Sequence, residues 1–174
     1  MRTVIVSYSN TGNNRAFARD MAAILPADHV EVTESKSRSM ATIVLDVLFG
    51  RIPKVAAPDV DLGAYDLVVF VGPVWMGRVA SPLRAWFKAV GLAVRRYAWA
   101  SVSGGADGPN PNLGGELTKR LGKAPVAVID AHIADLLPPE PKPTRKVTMA
   151  YRISDGESRQ FAEQAVTELR RAGS

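Results

Sequence analysis

The chain has no cysteine and only two histidines, His29 and His132, far apart in its 174 residues. The first absence removes disulfides, thiolate catalysis and cysteine metal sites together, fits a reducing compartment, and leaves any redox chemistry to a bound cofactor. Two isolated histidines make no metal-ligand pattern, and a lone histidine beside a strand is ordinarily structural. No Gly-x-Ser-x-Gly elbow occurs, which excludes the usual α/β hydrolase nucleophile. Neither Gly-Lys-Ser/Thr nor Gly-x-Gly-x-x-Gly is present, so the triphosphate loop and the dinucleotide fingerprint are both missing. No apolar run approaches the length of a membrane span, and the N-terminal run is broken by Ser7, Ser9, Asn10 and Gly12, too early for a signal sequence. A cytoplasmic protein is expected.

Lysine and arginine total 22 against 17 acidic residues, a net charge of +5. The basic residues are scattered over helix faces and loops, among them Arg84, Lys88, Arg95, Arg96, Lys119, Arg120, Lys123, Arg170 and Arg171. They form no recognition helix or aromatic RNA-binding motif, so nucleic acid is not expected as a partner, and an acidic redox partner suits the charge better. The length suits a single domain over residues 1–174.

Five short apolar runs recur about every 30 residues: Thr3 to Tyr8, His29 to Thr33, Leu67 to Val71, Tyr97 to Val102 and Val126 to Ile129. Most are continuous rather than alternating, as in strands covered on both faces of a parallel sheet. The helices between them are clearly punctuated. The first carries Phe17, Met21, Ile24 and Leu25 and stops at Pro26. The third starts at Ser81-Pro82 and carries Leu83, Trp86, Phe87 and Val90 to Gly91. The fourth is marked by Leu113, Leu117 and Leu121 before Gly122. The last opens on the capping box Ser154-Asp155-Gly156-Glu157 and turns Phe161, Ala165 and Leu169 inward.

The second helix is expected to bury Met40, Ile43, Val44, Val47 and Leu48, spaced i, i+3, i+4, i+7 and i+8. Leu45 and Phe49 then point outward. This outer pair on the helix at 40–49 is either a homodimer contact or is covered by the loop Arg51 to Pro58. After a proline-rich stretch at 138–143, the strict alternation of Val147, Met149, Tyr151 and Ile153 predicts an extra edge strand.

The first run leads directly into Ser9-Asn10-Thr11-Gly12-Asn13-Asn14 and then a helix. Backbone N–H groups at a helix start converge on one point, the helix dipole favours an anion there, and Ser9, Thr11, Asn13 and Asn14 bring side-chain donors. Gly12 allows close approach. An N-capped helix with no ligand uses the same residue types. A second loop, Gly72-Pro73-Val74-Trp75-Met76-Gly77-Arg78, follows the third run; a third, Ser103-Gly104-Gly105-Ala106-Asp107-Gly108, follows the fourth. In a doubly wound sheet all three lie at the carboxyl ends of the strands, where ligands bind. A phosphate site, an aromatic loop and a small-residue loop around one crevice suit a planar aromatic ligand with one phosphate.

Ser-x-Thr-Gly-Asn-Asn, together with Val-Gly-Pro-Val-Trp-x-Gly and the following Pro-Leu-Arg-x-Trp, resembles the flavodoxin family over most of the first 105 residues. Asn14 departs from the family, which usually has Thr there. The resemblance implies a flavodoxin-like, doubly wound five-stranded parallel sheet of order 2-1-3-4-5 with helices on both faces. It also implies non-covalently bound FMN: Ser9, Asn10, Thr11, Gly12, Asn13 and Asn14 around the phosphate, Pro73, Val74, Trp75, Met76 and Gly77 beside the ring, and Ser103, Gly104, Gly105 and Asp107 at its other edge. No catalytic side chain and no metal ligand are expected. The expected activity is electron transfer, as an NAD(P)H:quinone-type reductase or as a single-electron carrier for a redox partner protein. A flavin-free binding or scaffold module is the alternative of another class.

Overall fold

The computed structural model describes residues 1–34, 39–53, 55–56, 59–91 and 93–173. Five strands, β1 (Thr3–Ser7), β2 (Asp28–Glu31), β3 (Leu67–Val71), β6 (Tyr97–Ser103) and β7 (Val128–His132), form one sheet in the order β2-β1-β3-β6-β7. All its pairings are parallel. This is the expected flavodoxin-like architecture and strand order. Every residue of β1, β3 and β6 is buried, which explains their continuous apolar character.

Alternation along the strands sends side chains to two separate cores. Val4, Val6, Val68, Phe70, Tyr97 and Trp99 face one way, towards α3 (Ser81–Val90) and α4 (Leu113–Leu121). Ile5, Val69, Val71, Ala98, Ala100 and Val102 face the other, towards α1 (Asn13–Ile24) and α6 (Asp155–Gly173). In β6 the large aromatics all lie on the first face and the alanines on the second. Phe70 meets Phe87 edge-on at 4.7 Å between ring centres. The capping box forms as expected: Ser154 Oγ accepts from Glu157 N, and the Glu157 carboxylate accepts from Ser154 N.

Two expectations are corrected. The helix α2 (Met40–Leu48) buries Ile43 but turns Val44, Leu45 and Leu48 to solvent, with Phe49 just beyond it 69% exposed. Its second inward residue is polar: Asp46, 5% exposed, accepts a hydrogen bond from Ser81 Oγ at 2.8 Å. That anchor to the start of α3 sets the rotation of the helix in place of the apolar stripe. The Met40 and Val47 side chains lie outside the description. The expected covering loop at 51–58 is described only in part, and its described residues do not bury Leu45 or Phe49. Arg51 stacks over the Phe49 ring at 5.6 Å, and the Ala56 carbonyl accepts instead from Trp86 Nε1.

The predicted edge strand at 147–153 is instead a short helix, α5 (Arg145–Ala150), followed by extended chain. Thr144 caps it by accepting from Val147 N, and Thr148 is the buried member of the turn. Val147 and Met149 stay exposed, so the alternation that suggested a strand serves no sheet.

Candidate functional site

The three loops emerge side by side from β1, β3 and β6, the central strands. The second loop is held to its neighbours on both sides: Gly72 N donates to the Ala100 carbonyl of β6, and the Tyr8 ring just before the first loop meets Trp75 edge-on at 6.0 Å. Tyr8 OH donates to Glu34 at 2.9 Å.

In the first loop Gly12 has φ +98°, and a Cβ placed there would meet nothing within 4 Å. The turn therefore faces open space at the start of α1, whose first N–H groups have no intrahelical acceptor. Asn10 and Thr11 are exposed beside it, and Ser9 Oγ braces the turn by accepting from Gly12 N at 3.0 Å. The two asparagines differ from expectation. Asn14, buried, donates to the Val102 carbonyl and accepts from Val102 N, at 3.0 and 2.9 Å. Asn13 donates to the Tyr151 carbonyl at 3.0 Å and accepts from Ile153 N at 3.3 Å. Their amides thus clamp the loop to β6 and to the segment after α5. An amide carries its donor and its acceptor on separate atoms, so it pairs both backbone polar groups of Val102 at once. The Asn at position 14 therefore has a reason of its own.

The second loop is a hairpin, β4 (Val74–Trp75) and β5 (Arg78–Val79), closed by Met76 and Gly77 at φ +51° and +75°. Two positive φ values match the twist of a tight two-residue hairpin turn. Glycine takes such a value freely, whereas Met76 is strained there and its side chain is exposed. Trp75, Val74 and Pro73 are half-buried, and Val79 N donates to Glu116 on α4 at 2.8 Å.

In the third loop a Cβ on Gly104 would lie 2.9 Å from Thr148 Oγ1, and one on Gly105 would lie 2.5 Å from His132 Cβ. Both glycines are thus required by the protein's own packing. Arg145 Nε donates to the Asp107 carboxylate at 2.6 Å, and that hydrogen bond raises the guanidinium's pKa. Ser103 Oγ is buried with no hydrogen-bond partner. Beneath the loop, Asp130 accepts from Ser101 Oγ, Asn110 and His132 Nε2. Residues 145–153 therefore brace the first and third loops, a role that had no signal in the sequence.

A concavity of about 710 Å³ shares Met76 and Gly77 with the hairpin but lies beyond it, between α3 and α4. It is lined by Arg78, Arg84, Lys88, Lys119 and Arg120, against the single carboxylate of Glu116. Of these, Arg84, Lys88, Lys119 and Arg120 were expected as scattered surface charges. The available signal was the i, i+4 spacing of Arg84 and Lys88, with Arg84 set inside the apolar stripe of α3.

Among the described residues no helix is long and apolar enough to cross a membrane, and no three His, Cys, Asp or Glu side chains gather to hold a metal. Comparison of the sequence with protein-family models and with curated proteins finds no match. Solved structures do match. A Lactobacillus acidophilus NCFM flavoprotein, solved in complex with FMN, aligns with a TM-score of 0.63 at 19% identity, over 74% of this chain and 92% of that one. A candidate flavoprotein from Bacteroides eggerthii DSM 20697 aligns with a TM-score of 0.65 at 13% identity, over 94% and 96%. One from Bacteroides uniformis ATCC 8492 gives 0.65 at 14%, over 93% and 97%.

Proposed function

We propose that this chain, whose fold is flavodoxin-like, binds FMN without a covalent link and uses it in electron transfer. The observation that carries this reading is the meeting of an open helix-start turn at Gly12 with a half-buried Trp75 across Tyr8. The residues fit the group: a phosphate finds exposed Thr11 and the free N–H groups of the helix start, and the unpartnered Ser103 hydroxyl lies in the loop assigned to the ring's far edge. FMN supplies one- and two-electron chemistry when bound. The protein's residues hold and shield. Asn10 to Asn14 fix the phosphate, Trp75 walls one side of the ring, and the Met76–Gly77 turn offers backbone N–H groups. Gly104, Gly105 and Asp107 border the other edge, held in place by Thr148, His132 and Arg145. The FMN complex of the Lactobacillus acidophilus flavoprotein supports the same ligand.

The visible spectrum of the purified protein, with phosphate analysis of any extracted pigment and titration of the apoprotein with FMN and riboflavin, tests the reading. Yellow protein that prefers FMN is expected. A colourless preparation that takes up neither flavin would leave the flavin-free scaffold.

Between the two redox roles, the exposed hairpin tip beside a cationic cleft favours the NAD(P)H:quinone-type reductase, which needs room for small substrates. Steady-state oxidation of NADH and NADPH with a quinone separates them. Turnover below about one per minute, far under the usual enzyme range, assigns the carrier. The homodimer through α2 belongs to this proposal too, with Leu45, Leu48 and Phe49 as its contact. Sedimentation as a monomer at high concentration removes it.

A further inference from the structure

We propose that the cleft between the hairpin, α3 and α4 is a second anion site, built to take the phosphate group of a small phosphorylated ligand. Its volume, about 710 Å³, falls within the span usual for small-molecule sites. Five cations line it, and its one carboxylate is already committed: Glu116 accepts from Val79 N and from Arg120 Nε, each at 2.8 Å. That leaves a strong excess of positive charge in a concave space.

Arg84 carries the argument. It is 3% exposed, its Nε has no hydrogen-bond acceptor, and its Nη2 reaches only the Asp46 carbonyl, at a long 3.4 Å. A buried guanidinium with unfilled donors is costly, and an oxyanion at the cleft offsets that cost. Burial lowers the Arg84 pKa and the neighbouring charges of Arg120 and Arg78 lower it further, opposed by the carboxylates of Glu116 and Asp46. A bound anion reverses that repulsion. The planar forks of Arg84 and Arg120 suit phosphate, with Lys88 and Lys119 as mobile point charges at the mouth. A flat docking patch for an acidic protein has no need of a buried arginine, which favours the small ligand.

The site itself stands without the flavin. Its role rests on the flavin reading, because the cleft shares Met76 and Gly77 with the loop assigned to the ring. A phosphorylated substrate anchored at Arg84 would lay its redox-active end at the hairpin turn.

The test is NMR of the protein as purified, following backbone amides and the Arg84 Nε–H while sodium pyrophosphate is added at constant ionic strength. Saturable shifts are expected at Arg84, Lys88 and Arg120. In the double variant Lys88→Glu/Lys119→Glu, whose substituted side chains are exposed, the apparent affinity should fall by about tenfold or more. Arg84→Met should abolish the shifts, and should it fail to fold, the exposed double variant still decides. No saturable shift in the cleft by about 20 mM pyrophosphate, or an affinity unchanged in the double variant, overturns the proposal. Shifts confined to residues 10–14 also overturn it while leaving the flavin reading intact. FMN that fails to move residues 10–14 defeats the flavin reading alone.

Discussion

The two faces of the sheet are built on opposite principles. Behind β6 the alanines at 98 and 100 let α1 and α6 sit close, and Phe17, Ala18, Met21, Phe161, Ala162, Ala165 and Leu169 fill that side without a buried charge among them. In front, Tyr97 and Trp99 hold the helices further out, α2 docks through a buried aspartate, and Arg84 is left with an unfilled donor. The rear is a scaffold whose stability comes from apolar contact. On the front, polar anchors replace part of that packing, and the cationic cleft and the exposed residues of α2 all lie there. The loops of the proposed FMN site run along the top edge between the two.

The strongest test of this contrast compares two phenylalanines. Phe17, fully buried in the rear core, should cost about 3 to 5 kcal/mol on truncation to Ala, whereas Phe49→Ala should change stability by under about 0.5 kcal/mol. Chemical denaturation measures both, and similar losses would erase the distinction between the faces.

Next is the polar anchor of the front. Asp46→Ala leaves Ser81 Oγ without its acceptor and removes a carboxylate charge that offsets Arg84, and should cost about 1 to 3 kcal/mol, with Asp46→Asn recovering part of it. Hydrogen exchange should show α2 loosening while α1 and α6 stay protected. Uniform loss of protection would mean that α2 is no separate unit.

A third pair of variants should leave both faces intact and act only at the edge. Thr11→Ala removes an exposed hydroxyl from the turn at Gly12 and should weaken FMN by roughly tenfold to a hundredfold, with Thr11→Ser doing much less. Thermal denaturation without flavin should not change for either. Equal FMN affinity in wild type and Thr11→Ala would take Thr11 out of the site.

The smallest effect belongs to the outer strand β2, where His29 Nε2 meets Ser7 Oγ at 2.8 Å. Partial desolvation lowers the His29 pKa, opposed by the charge of Glu31, so the unfolded chain binds this proton more readily than the folded one. Its contribution is complete above the unfolded value of about 6.5 and is lost as pH falls through that value towards the lower folded one. The residue as a whole is exposed and only its ring edge is part-buried against Ser7, so the loss should stay under about 1 kcal/mol. Urea midpoints of wild type and His29→Gln across pH 7.5 to 5 measure it, and parallel curves would show that His29 does not contribute.

The sequence by itself determined what short-range chemistry decides. The buried runs at 3–7, 67–71 and 97–103 are continuous because both faces are covered, and Pro26, Pro82 and Gly122 stop or start helices through their own backbone limits. The three loops follow from those strand ends. Tertiary structure alone decided which way α2 turns, because a carboxylate at 46 found a hydroxyl at 81 and outweighed the apolar stripe. It likewise made a helix of 145–150, gave the amides of Asn13 and Asn14 to residues 151–153 and 102, and gathered cations of α3 and α4 into one cleft. Each of these outcomes joins residues far apart in the chain, and periodicity within a single segment carries no information about what that segment will meet.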